Sequence, residues 1–90
     1  MKPYLALLAE YLGTFLLTLV VLTTTNAFII GTILVIIILL IGSISGAFVN
    51  PAISFVMYLQ SKLTLLELFY YISVQMLGAA SSYGVYRMVA

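Results

Sequence analysis

The sequence predicts an all-α membrane protein with three transmembrane helices and one re-entrant half-helix. Hydrophobic residues make up 66% of the 90 residues and charged residues only 6%, which leaves too little polar surface to cover the core of a soluble domain. The apolar runs are separated by short polar connectors. One run is also interrupted by an Asn-Pro pair, which begins a helix and cannot continue one.

The first predicted transmembrane helix covers about residues 4–24. A helix of about 20 residues crosses a hydrocarbon core of about 30 Å, and the polar group TTTN follows this run. The same run could instead be a signal peptide, with Thr25 and Ala27 as small residues before a cleavage site. The length of the run and the acidic Glu10 inside it favour the transmembrane helix.

The next apolar segment, residues 27–59, is too long for one crossing, since a continuous helix would be about 50 Å long. Pro51 cannot continue a helix, and Gly42 and Gly46 weaken the helix upstream. The segment is therefore predicted to form a second transmembrane helix at about 27–43, a re-entrant loop at 44–50 and a half-helix at 51–59. Irregular backbone at membrane depth must be buried in protein or line a wet cavity, so this break is a candidate functional site.

The third predicted transmembrane helix covers about residues 65–87, after the polar connector QSKLT. This helix contains two pairs of small residues, and the members of each pair lie four positions apart: Gly78 with Ser82, and Ala80 with Gly84. This spacing predicts a face on which another helix packs closely, in preference to a solute contact.

The few charged residues and the missing residue types exclude several classes of function. If the half-helix returns to the side from which it enters, Lys2 and Lys62 share one side of the membrane and Arg87 lies on the other. This is a bias of one positive charge, which is weak, so the chain could insert in both orientations. The sequence has no His and no Cys, so no enzyme activity, metal or cofactor is expected. A net charge of +1 also predicts no nucleic-acid partner.

The Asn-Pro pair at the break has a defined chemistry. Asn50 is a favoured N-cap and Pro51 a favoured first helical residue. The side-chain carbonyl of Asn50 can accept a backbone N–H, which leaves its amide group free to donate. The helix start carries about +0.5 of an elementary charge, which attracts the oxygen of a neutral solute and repels cations. The residues just before it, 46–49, are expected to be extended and to offer carbonyl groups along one side.

Three motifs together carry a resemblance to a known family. They are AEYLGTFLL at 9–17, SGAFVNPAIS at 45–54 and YYISVQMLGA at 70–79. In this order they cover nearly the whole chain, and they resemble one repeat of the major intrinsic protein family, the aquaporins and glycerol facilitators.

The resemblance implies an integral, multi-pass membrane protein and a passive channel for water and small neutral solutes such as glycerol. Pores of this family combine two inverted repeats, whose half-helices meet at the midplane. The 90 residues are long enough for one aquaporin-like repeat, so the expected pore is an antiparallel homodimer with two Asn-Pro-Ala motifs, inserted with dual topology in the lipid bilayer. A tetramer of such dimers, with eight chains, follows from the family's usual assembly.

The resemblance also implies roles for individual residues. The pore residues are the donor Asn50, its companions Pro51 and Ala52, and the carbonyl-bearing residues Gly46, Ala47, Phe48 and Val49. Glu10 and Gln75 are expected to brace the loop, since an acid inside a transmembrane helix is rarely exposed to lipid. The predicted filter consists of Ile30, Ile38 and Ile53, with Ala47 completing the ring.

The filter departs from the family pattern. Ile53 stands where the family's second repeat carries an arginine, and Ser43 and Phe48 stand where histidines are frequent. An apolar constriction of this kind leaves selectivity between water and glycerol open, and it could dewet and close. Two alternatives follow: a non-conducting half-channel that pairs with a full-length relative, and a small ion channel. The ion channel is disfavoured because the sequence offers no ring of charges.

Overall fold

A computed structural model describes residues 3–90, so Lys2, which the charge count uses, lies outside the described residues. Within this part the chain forms four α-helices: α1 (Pro3–Thr23), α2 (Ala27–Ser45), α3 (Pro51–Leu59) and α4 (Leu65–Val89). No β-strand occurs in the described range. The prediction of an all-α fold is therefore confirmed for residues 3–90.

Polar N-caps begin α2 and α4. The side chain of Asn26 accepts hydrogen bonds from the backbone N–H groups of Phe28 and Ile29, at 2.9 and 3.1 Å. At the start of α4, Thr64 and Glu67 form a capping box in which each side chain accepts the other residue's backbone N–H. Such caps satisfy N–H groups that have no partner within the helix.

The second helix runs to Ser45, two residues past the predicted end at 43. Gly42 does not interrupt it, because one glycine inside a helix costs only about 1 kcal/mol. Gly46 ends it with a left-handed backbone at φ +93°, and its N–H donates to the carbonyl of Gly42 at 2.9 Å. A glycine in this conformation is the usual residue after a helix, so the irregular segment is only residues 46–49.

The first helix is the centre of the fold. It packs against α2 and α4, and α3 packs against α4. The buried residues of α1 recur about every helical turn: Ala6, Ala9, Glu10, Gly13 and Thr14. The buried apolar residues form two clusters, one of Ala6, Leu63, Leu68 and Tyr71 and one of Ile37, Ala47 and Val49. The second cluster fixes the loop at 46–49 against α2.

Within residues 3–90, α1 and α2 are long and apolar enough to cross a membrane. Most side chains of α2 face outward, and only Ile37 and Ser45 of this helix are buried. The fourth helix is longer, at 25 residues, but less apolar, because it carries Glu67, Gln75 and Arg87. The described structure thus contains two helices with the composition of membrane spans and a third of sufficient length.

The two small-residue pairs of α4 have different surroundings. Gly78 and Ser82 are buried against α1, and a Cβ atom at Gly78 would lie 2.5 Å from the backbone oxygen of Tyr11. The Ser82 hydroxyl also shares a 2.6 Å hydrogen bond with that of Thr18. In contrast, a Cβ atom at Gly84 would meet no atom within 4 Å. Within residues 3–90, only the first pair is therefore used for helix packing.

We expect Gly78→Ala to lower the free energy of unfolding by about 1–3 kcal/mol, because the new methyl group forces α1 and α4 apart. Gly84→Ala is the matched control. It should leave stability unchanged or raise it by up to about 1 kcal/mol, since alanine is the better helix former. Thermal unfolding in one detergent measures both variants, and equal midpoints would contradict the close contact at Gly78.

Candidate functional site

The start of α3 presents a hydrogen-bond donor at the surface of the chain. Asn50 has an extended backbone, and its Oδ1 accepts the N–H of Ala52 at 2.7 Å. Pro51 occupies the first turn, where its missing N–H needs no partner. The side chain of Asn50 is exposed, and within residues 3–90 its amide nitrogen donates to no acceptor. This nitrogen lies at the positive end of the α3 dipole.

The loop before Asn50 is not extended, contrary to the sequence prediction. Gly46, Ala47 and Val49 have φ values of +93°, +53° and +44°, in the left-handed region that costs a residue with a Cβ about 1–3 kcal/mol. The side chains of Ala47 and Val49 are buried in the cluster around Ile37. The carbonyl groups of residues 46–49 accept no hydrogen bond from the part of the chain that the structure describes, so four acceptors remain available beside Asn50.

Glu10 holds this strained loop from α1. Its side chain is 0% exposed. Oε1 accepts the N–H of Val49 and the Nε2 of Gln75, both at 2.8 Å. Oε2 accepts the N–H of Phe48 at 3.1 Å and the Oγ of Ser45 at 2.6 Å. Four donors match the four acceptor positions of an ionised carboxylate. They account for an acidic residue inside an apolar helix and offset the strain of the loop.

Gln75 contacts α3 as well as Glu10. Its Nε2 donates to the Oγ of Ser54 at 2.7 Å, in addition to the carboxylate of Glu10. Gln75, which the family resemblance implies as a brace of the loop, makes no hydrogen bond to the loop backbone in the described structure. It connects α3 to the carboxylate that binds the loop, and so fixes α3 relative to the loop.

Three further residues of the site were missed by sequence reasoning. Ser45 donates to Glu10 and accepts the N–H of Ala47 at 3.2 Å. Ser54 is fully buried beside Gln75. Tyr71 donates its hydroxyl to the carbonyl of Ser45 at 2.7 Å. A signal existed for each: both serines flank the loop in an apolar segment, and Tyr71 lies one helical turn before Gln75, on the same face.

The predicted filter residues do not form a ring within residues 3–90. Ile30 and Ile38 lie eight residues apart on α2, about 12 Å along the helix axis. Ile38 and Ile53 are exposed, but α2 and α3 do not contact each other in the described structure. The side chain of Ala47 is buried in the cluster with Ile37, so within residues 3–90 it adds no exposed side chain to a constriction.

Comparison with known proteins identifies relatives of this chain. The family described as major intrinsic protein matches residues 1–90. The lens fiber major intrinsic proteins of Rattus norvegicus and Homo sapiens are 47% and 44% identical to it over 45 residues, and that of Lithobates pipiens is 40% identical. Each match covers 50% of this chain and 17% of the relative. No solved structure matches significantly.

Proposed function

The chain belongs to the major intrinsic protein family, and on this basis we propose that it forms a passive channel for water and small neutral solutes such as glycerol. One observation carries the proposal: the free amide donor of Asn50 lies at the start of α3, directly after four backbone carbonyl groups with no partner within residues 3–90. A family relationship also favours a channel over an enzyme.

The site supplies the hydrogen bonds that a permeating molecule loses. A water or alcohol that leaves bulk solvent must exchange its hydrogen bonds for others, because unpaired polar groups are costly in a low-dielectric environment. The carbonyl groups of residues 46–49 accept its O–H groups, and the amide of Asn50 donates to its oxygen. The positive end of the α3 dipole opposes cations. These features favour small neutral hydroxyl compounds.

The proposed membrane arrangement has α1, α2 and α4 crossing the bilayer and α3 entering halfway. The nine residues of α3 measure about 13 Å, less than half of a hydrocarbon core of about 30 Å. The 25 residues of α4 measure about 37 Å, enough to cross it. Glu67 and Arg87 lie near the two ends of α4, where charges can reach the headgroup regions.

A second copy of the chain, inserted in the opposite orientation, completes the proposed pore. An exposed Asn50 at membrane depth would be costly against lipid, and a second α3 start meeting the first at the midplane covers it. Lys62 and Arg87 lie on opposite sides in this arrangement, so orientation is weakly biased. By the family resemblance, four such pairs could associate, which gives eight chains.

A second candidate function is a non-conducting half-channel that pairs with a full-length relative. The exposed side chains of Ile38 and Ile53 support it, because a constriction lined by them between this chain and the relative would be apolar and could dewet. Asn50 would then be covered by the relative's own half-helix.

Osmotic swelling of proteoliposomes that contain only this chain distinguishes the two functions. The channel proposal expects water permeability above that of empty vesicles, together with uptake of glycerol. Absence of both, for protein whose helix content and size distribution show that it is folded, would contradict the channel and support the non-conducting half-channel.

We expect Asn50→Asp to raise cation leak by at least about tenfold. The carboxylate keeps the oxygen that caps α3, since Asp is as good an N-cap as Asn, but it removes the amide donor and adds a negative charge to each half of the pore. A favourable interaction of about 1.4 kcal/mol is enough for a tenfold effect. Ion flux into vesicles measures the change.

Asn26→Asp is the matched control, because Asn26 caps α2 in the same way but lies in the connector between α1 and α2. It should leave cation leak at the original level. If the Asn50→Asp channel excludes cations to the same extent as the Asn26→Asp channel, the role given to Asn50 is contradicted.

A further inference from the structure

Tyr71 of α4 contacts the loop at 46–49 from a different helix than Glu10 does. Its side chain is 7% exposed, and its hydroxyl donates to the carbonyl of Ser45 at 2.7 Å. Ser45 is the last residue of α2, so its carbonyl has no partner within the helix. Tyr71 therefore satisfies a helix-end carbonyl at the point where the loop begins.

The ring of Tyr71 also packs against the third residue of the loop. The ring centroids of Tyr71 and Phe48 are 5.6 Å apart at an angle of 41°, a favourable arrangement for an aromatic pair. The Phe48 ring also lies against Gly46, where an added Cβ would be 2.5 Å from a ring atom. Phe48 thus contacts both Gly46 and Tyr71.

The loop is consequently held from two helices, at different groups. Glu10 of α1 binds the N–H groups of Phe48 and Val49, whereas Tyr71 of α4 fixes the carbonyl of Ser45 and the ring of Phe48. Ala47 and Val49 have unfavourable positive φ values and would relax to other conformations if the loop were released. Any such relaxation rotates the peptide groups and redirects their carbonyl oxygens.

We propose that Tyr71 is a positioning residue that sets the direction of the loop carbonyls and thereby the permeability and solute preference of the channel. This inference rests on the proposed function. The hydroxyl group of Tyr71 is the part whose removal tests this role. Tyr71→Phe keeps the ring contact with Phe48 but leaves the carbonyl of Ser45 buried without its donor.

The test compares Tyr71→Phe with Tyr70→Phe, which removes a hydroxyl from the exposed neighbouring residue. At equal amounts of folded protein, we expect Tyr71→Phe to lower water permeability about three- to tenfold, the range in which one neutral hydrogen bond shifts a conformational equilibrium. The ratio of glycerol to water permeability should also change. A role limited to overall stability would lower the thermal midpoint and leave this ratio unaltered. Tyr70→Phe should alter neither permeability nor ratio.

Hydrogen exchange of residues 46–50 provides an independent measurement that does not depend on conduction. We expect faster exchange in Tyr71→Phe than in Tyr70→Phe. A similar increase is expected in Phe48→Leu, which leaves the Tyr71 hydroxyl in place but removes the aromatic contact between residues 48 and 71. Equal exchange in Tyr71→Phe and Tyr70→Phe would overturn the positioning role. An unaltered permeability ratio in an active Tyr71→Phe channel would overturn its effect on solutes. An impermeable original chain would instead refute the proposed function, while the exchange experiment still decides whether Tyr71 holds the loop.

Discussion

Vesicles that contain the chain in only one orientation are expected to show no permeability above that of empty vesicles. In the proposed arrangement, Lys2 and Lys62 face one side and Arg87 the other. Gln60→Lys with Arg87→Gln gives three positive residues against none, which fixes one orientation. The opposite orientation is fixed by a second variant that combines Thr25→Lys, Ala90→Lys and Lys62→Gln. It has three positive residues on the Arg87 side and one, Lys2, on the other. Each variant alone lacks the antiparallel partner, so its pore should be incomplete.

Co-expression of the two variants should restore permeability to near the original level, because each variant is then the antiparallel partner of the other. The orientation itself can be measured independently. The sequence has no cysteine, so a single cysteine introduced at the exposed Ala27, which both variants leave unchanged, should react from both faces of the membrane in the original chain and from one face in each fixed variant. A variant that reacts from one face only and still conducts fully would contradict the antiparallel pore.

Glu10→Gln is expected to lower water permeability by at least about tenfold. The amide has one acceptor oxygen in place of two, and the Ser45 hydroxyl and the Gln75 amide can reorient to suit it. The backbone N–H groups of Phe48 and Val49 cannot, so one of them stays buried without an acceptor whichever way the new amide points. This costs about 1–3 kcal/mol, and the strain at Ala47 and Val49 adds to the tendency of the loop to leave its conformation.

Glu67→Gln is the matched control for the same chemical change. Glutamine also suits this position of a capping box, so permeability should stay within about twofold of the original. Swelling assays and hydrogen exchange of residues 46–50 measure both variants. A Glu10→Gln channel with the same permeability and loop exchange as Glu67→Gln would show that the carboxylate is not needed to hold the loop.

Features of the site that depend on neighbouring residues could be predicted from the sequence. The Asn50-Pro51 pair predicts an N-cap with a free amide group because both preferences arise within one helical turn. Glu10 could be connected to the loop only through the family resemblance, since an acidic residue in an apolar helix has many possible partners. Its contacts with Ser45 and Gln75 join residues 35 and 65 positions apart, and no local pattern specifies such contacts.

The sequence by itself determined that the chain is helical, that apolar helices long enough for a membrane occur in it, and that a new helix begins at Pro51. These properties follow from hydrophobic length, caps and the missing N–H of proline, all of which act over a few residues. Only the tertiary structure decided that three of the four loop residues at 46–49 have a left-handed backbone, that Tyr71 and Ser54 belong to the site, and that Gly78 packs against α1 while Gly84 does not. The reason is that a strained backbone and a buried polar network become stable only when several helices supply their hydrogen-bond partners together.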